Sequence, residues 1–205
     1  MRVLVVARTR MAGDRVCVGG IDADSGTSLR LLGSDEQNLL ESHRIRPGEI
    51  WNVTCSPRSH LRPPHVEDVV VTAGKRLSGV ASLRDAILEL AEPWECELDE
   101  IFDGRLVVTD AGTAYLRDEP PLPDCSTGFW IARTALRQSK FEDSGSRYWI
   151  PQGRRIRKVK YVGMEDPSAL IPEGALVRFS LARWHTFPPG VDEPRCYLQL
   201  SGWYP

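Results

Sequence analysis

The stretch RVLVVARTRMAGDRVCVGGIDADSGTSLRLL, residues 2–32, decides the fold. Its apolar residues run unbroken over 3–7, pause at a turn over 11–14 that holds Gly13, and return as Val16 and Val18 alternating with Arg15 and Cys17. Period-two alternation marks a strand with one buried face, and a short continuous apolar run marks a strand buried on both. Asp24-Ser25-Gly26 is turn chemistry, and Ser28–Leu32 follows as a third strand.

Reading outward, Ser34 stands where a helix N-cap would, with Asp35 and Glu36 in a first turn suited to the positive end of a helix dipole. The expected short helix carries Leu39 and Leu40 inward and stops before Pro47-Gly48. Trp51, Val53 and Cys55 then alternate with Asn52 and Thr54, and residues 65–72 complete a fifth strand. Three strands, a short helix and two strands is the element order of an OB-fold, a five-stranded, partly open barrel.

The order recurs in the last third of the chain. Strands are expected over 129–133, 147–150, 155–162, 175–183 and 196–202, with turns at 143–146, at Gln152-Gly153 and at 185–194, and one helical turn over 167–171. The turns before Ile50 and Ala175, Pro47-Gly48-Glu49 and Pro172-Glu173-Gly174, echo each other. Between the two sets, Leu83, Ile87, Leu88 and Leu90 fall at helical spacing. The expectation is a mostly β protein with two OB-like small β-barrels in tandem, residues 1–75 and 126–205, joined by an acidic connector, 76–125, with one short amphipathic helix that packs on a barrel.

Composition narrows the class. With 205 residues, 41% hydrophobic and 26% charged, the chain can bury a core and is far from the regime of disorder. The apolar run over 3–7 is too short for a signal peptide or a membrane span, so no membrane partner and a cytoplasmic location are expected. Five cysteines lie singly, without a CxxC pair, and are expected reduced and mostly buried. The four histidines never fall at ligand spacing, and no nucleophile elbow or phosphate-binding glycine motif occurs. No cofactor, metal site or enzyme active site is therefore expected.

The net charge of −2 argues against coating nucleic acid with the whole surface, but the distribution is uneven. From Asp85 to Asp124 the acids meet only Arg105 and Arg117; from Arg133 to Lys160 the sign reverses, opposed only by Glu142 and Asp143.

The chain resembles the bacterial proteins described as dual OB-containing domain proteins. The resemblance rests on Val3-Leu4-Val5-Val6-Ala7, Arg15-Val16-Cys17-Val18-Gly19-Gly20-Ile21-Asp22, Ser28-Leu29-Arg30-Leu31, Pro47-Gly48-Glu49-Ile50, Phe179-Ser180-Leu181 and Cys196-Tyr197-Leu198. It implies two OB-like barrels and, by association, recognition of nucleic acid, in defence against invading elements. It supplies no catalytic residues.

The basic segment gives that implication residues. OB-fold grooves for nucleic acid join a cationic track to aromatic platforms on which bases stack. Arg147, Arg154, Arg155, Arg157, Lys158 and Lys160 are the expected track, Tyr148 and Tyr161 the platforms, with Arg178 and Tyr197 beside them. Arg8, Arg10, Arg15 and Arg30 form a second, smaller candidate surface, while Trp51, Trp130 and Phe179 read as core. Two alternatives compete. The acidic segment, 85–124, could dock a protein partner or fold back on the basic strand, making a protein or small-ligand interaction module; and His65, Glu67 and Asp68 could hold a metal for hydrolysis, although alternation puts Asp68 on the other face.

Overall fold

The computed structural model describes residues 1–139, 145–186 and 193–205. Lys140, Glu142 and Asp143, half of the turn over 143–146, and the centre of the turn over 185–194 lie outside the described residues. The chain divides into two compact units, one of residues 1–62, 66–92 and Tyr204, the other of 63–65, 93–203 and Pro205.

The first unit contains β1 (Arg2–Arg10), β2 (Arg15–Asp22), β3 (Ser28–Leu32), β4 (Leu39–Leu40), β5 (Glu49–Pro57) and β6 (Asp68–Gly79), then α1 (Leu83–Leu90). The strands close a ring, β1–β2–β3–β6–β5–β1, in which only β3 and β6 run parallel. A meander whose third strand meets the last one in parallel is the OB barrel. Val3, Val5, Val16, Val18, Leu31 and Val53 are buried in it. A bulge between Val5 and Ala7 shifts the register of β1, and all five residues 3–7 are buried. Ser82 caps α1, its hydroxyl accepting from the Asp85 amide at 3.2 Å. Only Ile87 of this helix is buried.

The helix expected after Ser34 does not form. The Asp35 carboxylate accepts the Gln37 amide at 3.0 Å, the Gly33 amide donates to the Gln37 carbonyl, and Glu36 takes a left-handed φ of 57°. A short polar side chain that captures backbone two residues on makes a turn where a helix would begin. Leu39 then pairs with Val16 as β4 and is buried, while Leu40 points out.

In the second unit a 3-10 turn, Phe102–Gly104, precedes β7 (Val107–Val108), β8 (Ala114–Arg117), β9 (Thr127–Ile131), β10 (Leu136–Gln138), β11 (Arg147–Gln152), β12 (Arg155–Tyr161), β13 (Leu170–Ile171), β14 (Leu176–Leu181) and β15 (Arg195–Tyr204). The path β10–β11–β12–β15–β14–β9 repeats the first barrel's order, parallel at β12 and β15, with the opening strand in two pieces, β9 and β10. The helical turn expected over 167–171 is absent as well. Ser168 bonds both the carbonyl and the amide of Leu170, and 170–171 pairs with β10 as β13.

Half of the acidic connector is core. Leu98, Ile101 and Phe102 are buried with Trp130 and Phe179, and β8 pairs with β15. The Trp94 amide donates to the Phe129 carbonyl at 2.7 Å, and Trp130 Nε1 donates to the Cys96 carbonyl at 2.9 Å. Trp94 packs against Gly128, where an added Cβ would stand 2.2 Å from Cη2 of the indole. All five cysteines are free thiols, but only Cys196 is fully buried; Cys17, Cys55, Cys96 and Cys125 are half-buried, so the expectation of mostly buried thiols is corrected. Among the described residues no helix is long and apolar enough to cross a membrane.

Candidate nucleic-acid interface

Strand phase decides what the basic segment displays. On β11 and β12 the residues turned inward are Tyr148, Ile150, Arg157, Val159 and Tyr161, all buried. The opposite phase places Arg147, Trp149 and Pro151 of β11 opposite Lys160, Lys158 and Ile156 of β12. On the other side of β11, Arg137 of β10 stands opposite Trp149, and Leu170 of β13 stands opposite Arg137. The outer face of β10, β11 and β12 is therefore an indole flanked by Arg137 and Lys158, with the Arg147 and Lys160 pair alongside. Directly opposed residues of neighbouring strands hold their Cβ atoms roughly 4.5–5.5 Å apart. No carboxylate occurs among these facing strand positions. Trp149, Ile156 and Leu170 are 36%, 49% and 42% exposed, large apolar groups that water reaches on a cationic face.

The expected site residues divide. Arg147, Lys158 and Lys160 lie on this face, and Arg154 and Arg155 are exposed at the β11–β12 turn. Tyr148 is fully buried, meets Tyr161 edge-on at 6.0 Å and donates to the Ser168 carbonyl at 2.6 Å. Burial pushes its phenol up to about 12. Tyr161 is buried beside it, so neither ring offers a face to a base. Arg157 is buried too, its guanidinium donating to both oxygens of Asp99 at 2.9 and 2.5 Å, and the hydrogen bond holds it above its ordinary pKa. Arg178 is buried with Nη1 donating to Ser201 Oγ at 2.9 Å. Tyr197 belongs to another cluster, with Tyr115 at 5.7 Å, His185 at 5.5 Å, and Arg195 over the Tyr115 ring at 4.3 Å.

Trp149 and Arg137 are what the sequence reading missed. Tyr148 and Ile150 share one phase of β11 and Trp149 takes the other, and alternation alone does not say which phase faces outward. Of the four candidate arginines of the first unit, three are held within it and Arg10 is exposed: Arg8 donates to the Glu41 carbonyl at 2.6 Å, Arg15 lies 3.2 Å from Asp35, and Arg30 lies 3.4 Å from buried Asp68.

The metal reading meets a different geometry. His65 is buried, and its Nε2 donates to the Leu181 carbonyl at 3.2 Å. Asp68 is held between Arg30 and Arg58. Among the described residues no cluster of three or more His, Cys, Asp or Glu is placed to hold a metal.

The sequence model of one protein family, described as dual OB-containing domain, matches residues 1–203. No curated protein sequence matches the chain. Among solved structures it is similar to the HINa domain of Ifi202, determined in complex with a 20-base-pair DNA duplex, at 10% identity and a TM-score of 0.38, covering 98% of this chain and 95% of that one. The HINb domain of p204 is similar at 11% identity and a TM-score of 0.37, covering 98% and 95%. A murine DNA-binding protein bound to double-stranded DNA is similar at 11% identity and a TM-score of 0.33, covering 99% and 96%.

Proposed function

The chain belongs to the dual OB-containing domain family, and on that premise we propose that it binds nucleic acid on the outer face of β10, β11 and β12. The observation that carries the reading is Trp149, exposed between Arg137 and Lys158 with the Arg147 and Lys160 pair alongside. Bases stack on such an indole whatever their sequence, and the flanking cations take the phosphates. OB barrels bind oligonucleotides on the face of their second and third strands. In the second barrel those are β11 and β12. The protein acts by binding and not by catalysis; with the family resemblance, this supports a cytoplasmic role in bacterial defence. The exposed acids of the connector, Glu92, Glu95 and Glu100 among them, are the surface for a protein partner, although Asp99 already serves Arg157.

The test is fluorescence anisotropy with labelled single-stranded DNA, single-stranded RNA and duplex DNA across a salt series. Binding is expected to weaken steeply with salt. Trp149→Ala should lower affinity by roughly 1–3 kcal/mol without changing the salt slope, whereas Lys158→Glu/Lys160→Glu should flatten it. Absence of binding at low salt to all three probes would sink the proposal.

A further inference from the structure

In the first barrel, a helix was expected between β3 and β5 that carries Leu39 and Leu40 inward. The turn at Gly33–Gln37 replaces it, only Leu39 faces inward, and a cleft of about 490 Å³ remains between this connection and strands β5 and β6. Ligand pockets run from roughly 300 to 1,000 Å³. The floor is apolar, built from Leu31, Leu39, Val53 and Val71. Trp51 forms a wall, and its ring is oriented by a hydrogen bond from Nε1 to Glu49 Oε2 at 2.9 Å. Gly74, directly opposite Val53 on β6, leaves the space beside that ring open. The rim carries Arg15, His43 and Arg44 against one carboxylate, Asp35, which already lies against Arg15.

A fixed aromatic wall, an apolar floor and a rim with more cations than anions suit a planar aromatic group attached to an anion. We propose that this cleft binds a single nucleotide, its base against Trp51 and its phosphate toward Arg44. The nucleotide is either free or the 5′-phosphorylated end of a strand, and the site is independent of the Trp149 face.

Gly74 supplies the test. It lies in extended backbone without a positive φ, and an added Cβ would meet Trp51 Cε3 and Val53 Cγ1 at 3.5 Å, ordinary contact distance. A larger side chain there fills the cleft without backbone strain. Calorimetric titration of the full chain would use AMP, UMP, adenosine and a 5′-phosphorylated trinucleotide. The expected result is saturable binding of at least one phosphorylated probe, about tenfold weaker in Gly74→Leu at an unchanged melting temperature, with Gly74→Ala as a milder second variant. Arg44→Ala should weaken AMP and not adenosine, and Trp149→Ala should leave all these titrations unchanged. Binding of AMP and UMP identifies a free nucleotide as sufficient; binding of the trinucleotide alone identifies a strand end. No saturable binding of any phosphorylated probe, or binding equally tight in Gly74→Leu and Gly74→Ala, overturns the proposal. Trp149→Ala defects in strand binding with intact AMP binding would separate failure of one site from failure of the other.

Discussion

Tyr148 and Trp149 are neighbours in sequence with opposite fates, one fully buried and the other exposed on a cationic face. The Tyr148 phenol, pushed up to about 12, has a pH signature. Its ordinary value is about 10, so between those values the unfolded chain releases a proton that the folded one keeps. A raised tyrosine pKa therefore adds no pH dependence below 10 and erodes stability as pH rises from 10 to 12, by up to about 1.4 kcal/mol per pH unit. Urea unfolding followed across that range should show the loss, and Tyr148→Phe should abolish this part of the slope while lowering stability near neutrality by about 1 kcal/mol for the lost Ser168 hydrogen bond. An unchanged alkaline slope in the variant would exclude Tyr148 as its source. Only Trp149 of this pair is open to nucleic acid, so Tyr148→Phe should leave affinity untouched.

Among the elements, β4 and β13 follow the third strand of their barrels in the chain, although β4 pairs with the second strand and β13 with the opening one, and each is a two-residue strand where a helix or helical turn was expected. Both differences arise from polar side chains, Asp35 and Ser168, that bond backbone within two residues. N-cap chemistry and turn chemistry use the same residue types, and the backbone two positions further along the chain selects the turn in both barrels. The connector shows a related limit. Its acidic residues read as a connector between the barrels, yet Trp94, Leu98, Ile101 and Phe102 enter the second core, with Trp94 seated against Gly128 of β9. Gly128→Val would expel the indole and should cost about 3–5 kcal/mol, comparable with truncating a buried tryptophan. Denaturant unfolding of that variant is the check, and a loss below about 1 kcal/mol would show that Trp94 relocates without penalty.

For the whole molecule, the acidic and basic stretches of the sequence only partly cancel. Asp99 neutralises buried Arg157, and Glu97 lies 3.7 Å from exposed Arg133, while the outer face of β10, β11 and β12 carries Arg137, Arg147, Lys158 and Lys160 at its strand positions. Asp99→Ala strands a buried guanidinium and should destabilise by about 3 kcal/mol, since water reaches the half-exposed carboxylate side. Asp99→Leu/Arg157→Met should recover most of that in chemical denaturation, and neither variant should alter nucleic-acid affinity, because Arg157 is absent from the face. The order of strands, the repetition of one barrel and the location of the basic strands were legible in the sequence, because alternation and turn residues are local properties. The phase of β11 and the partner of Arg157 were not. A one-residue shift of phase exchanges core and surface, and the choice is made by the residues that pack against the strand from distant parts of the chain. The sequence by itself determined that two barrels form and where cations concentrate; only the tertiary structure decided that Trp149, and neither Tyr148 nor Tyr161, meets the solvent among them.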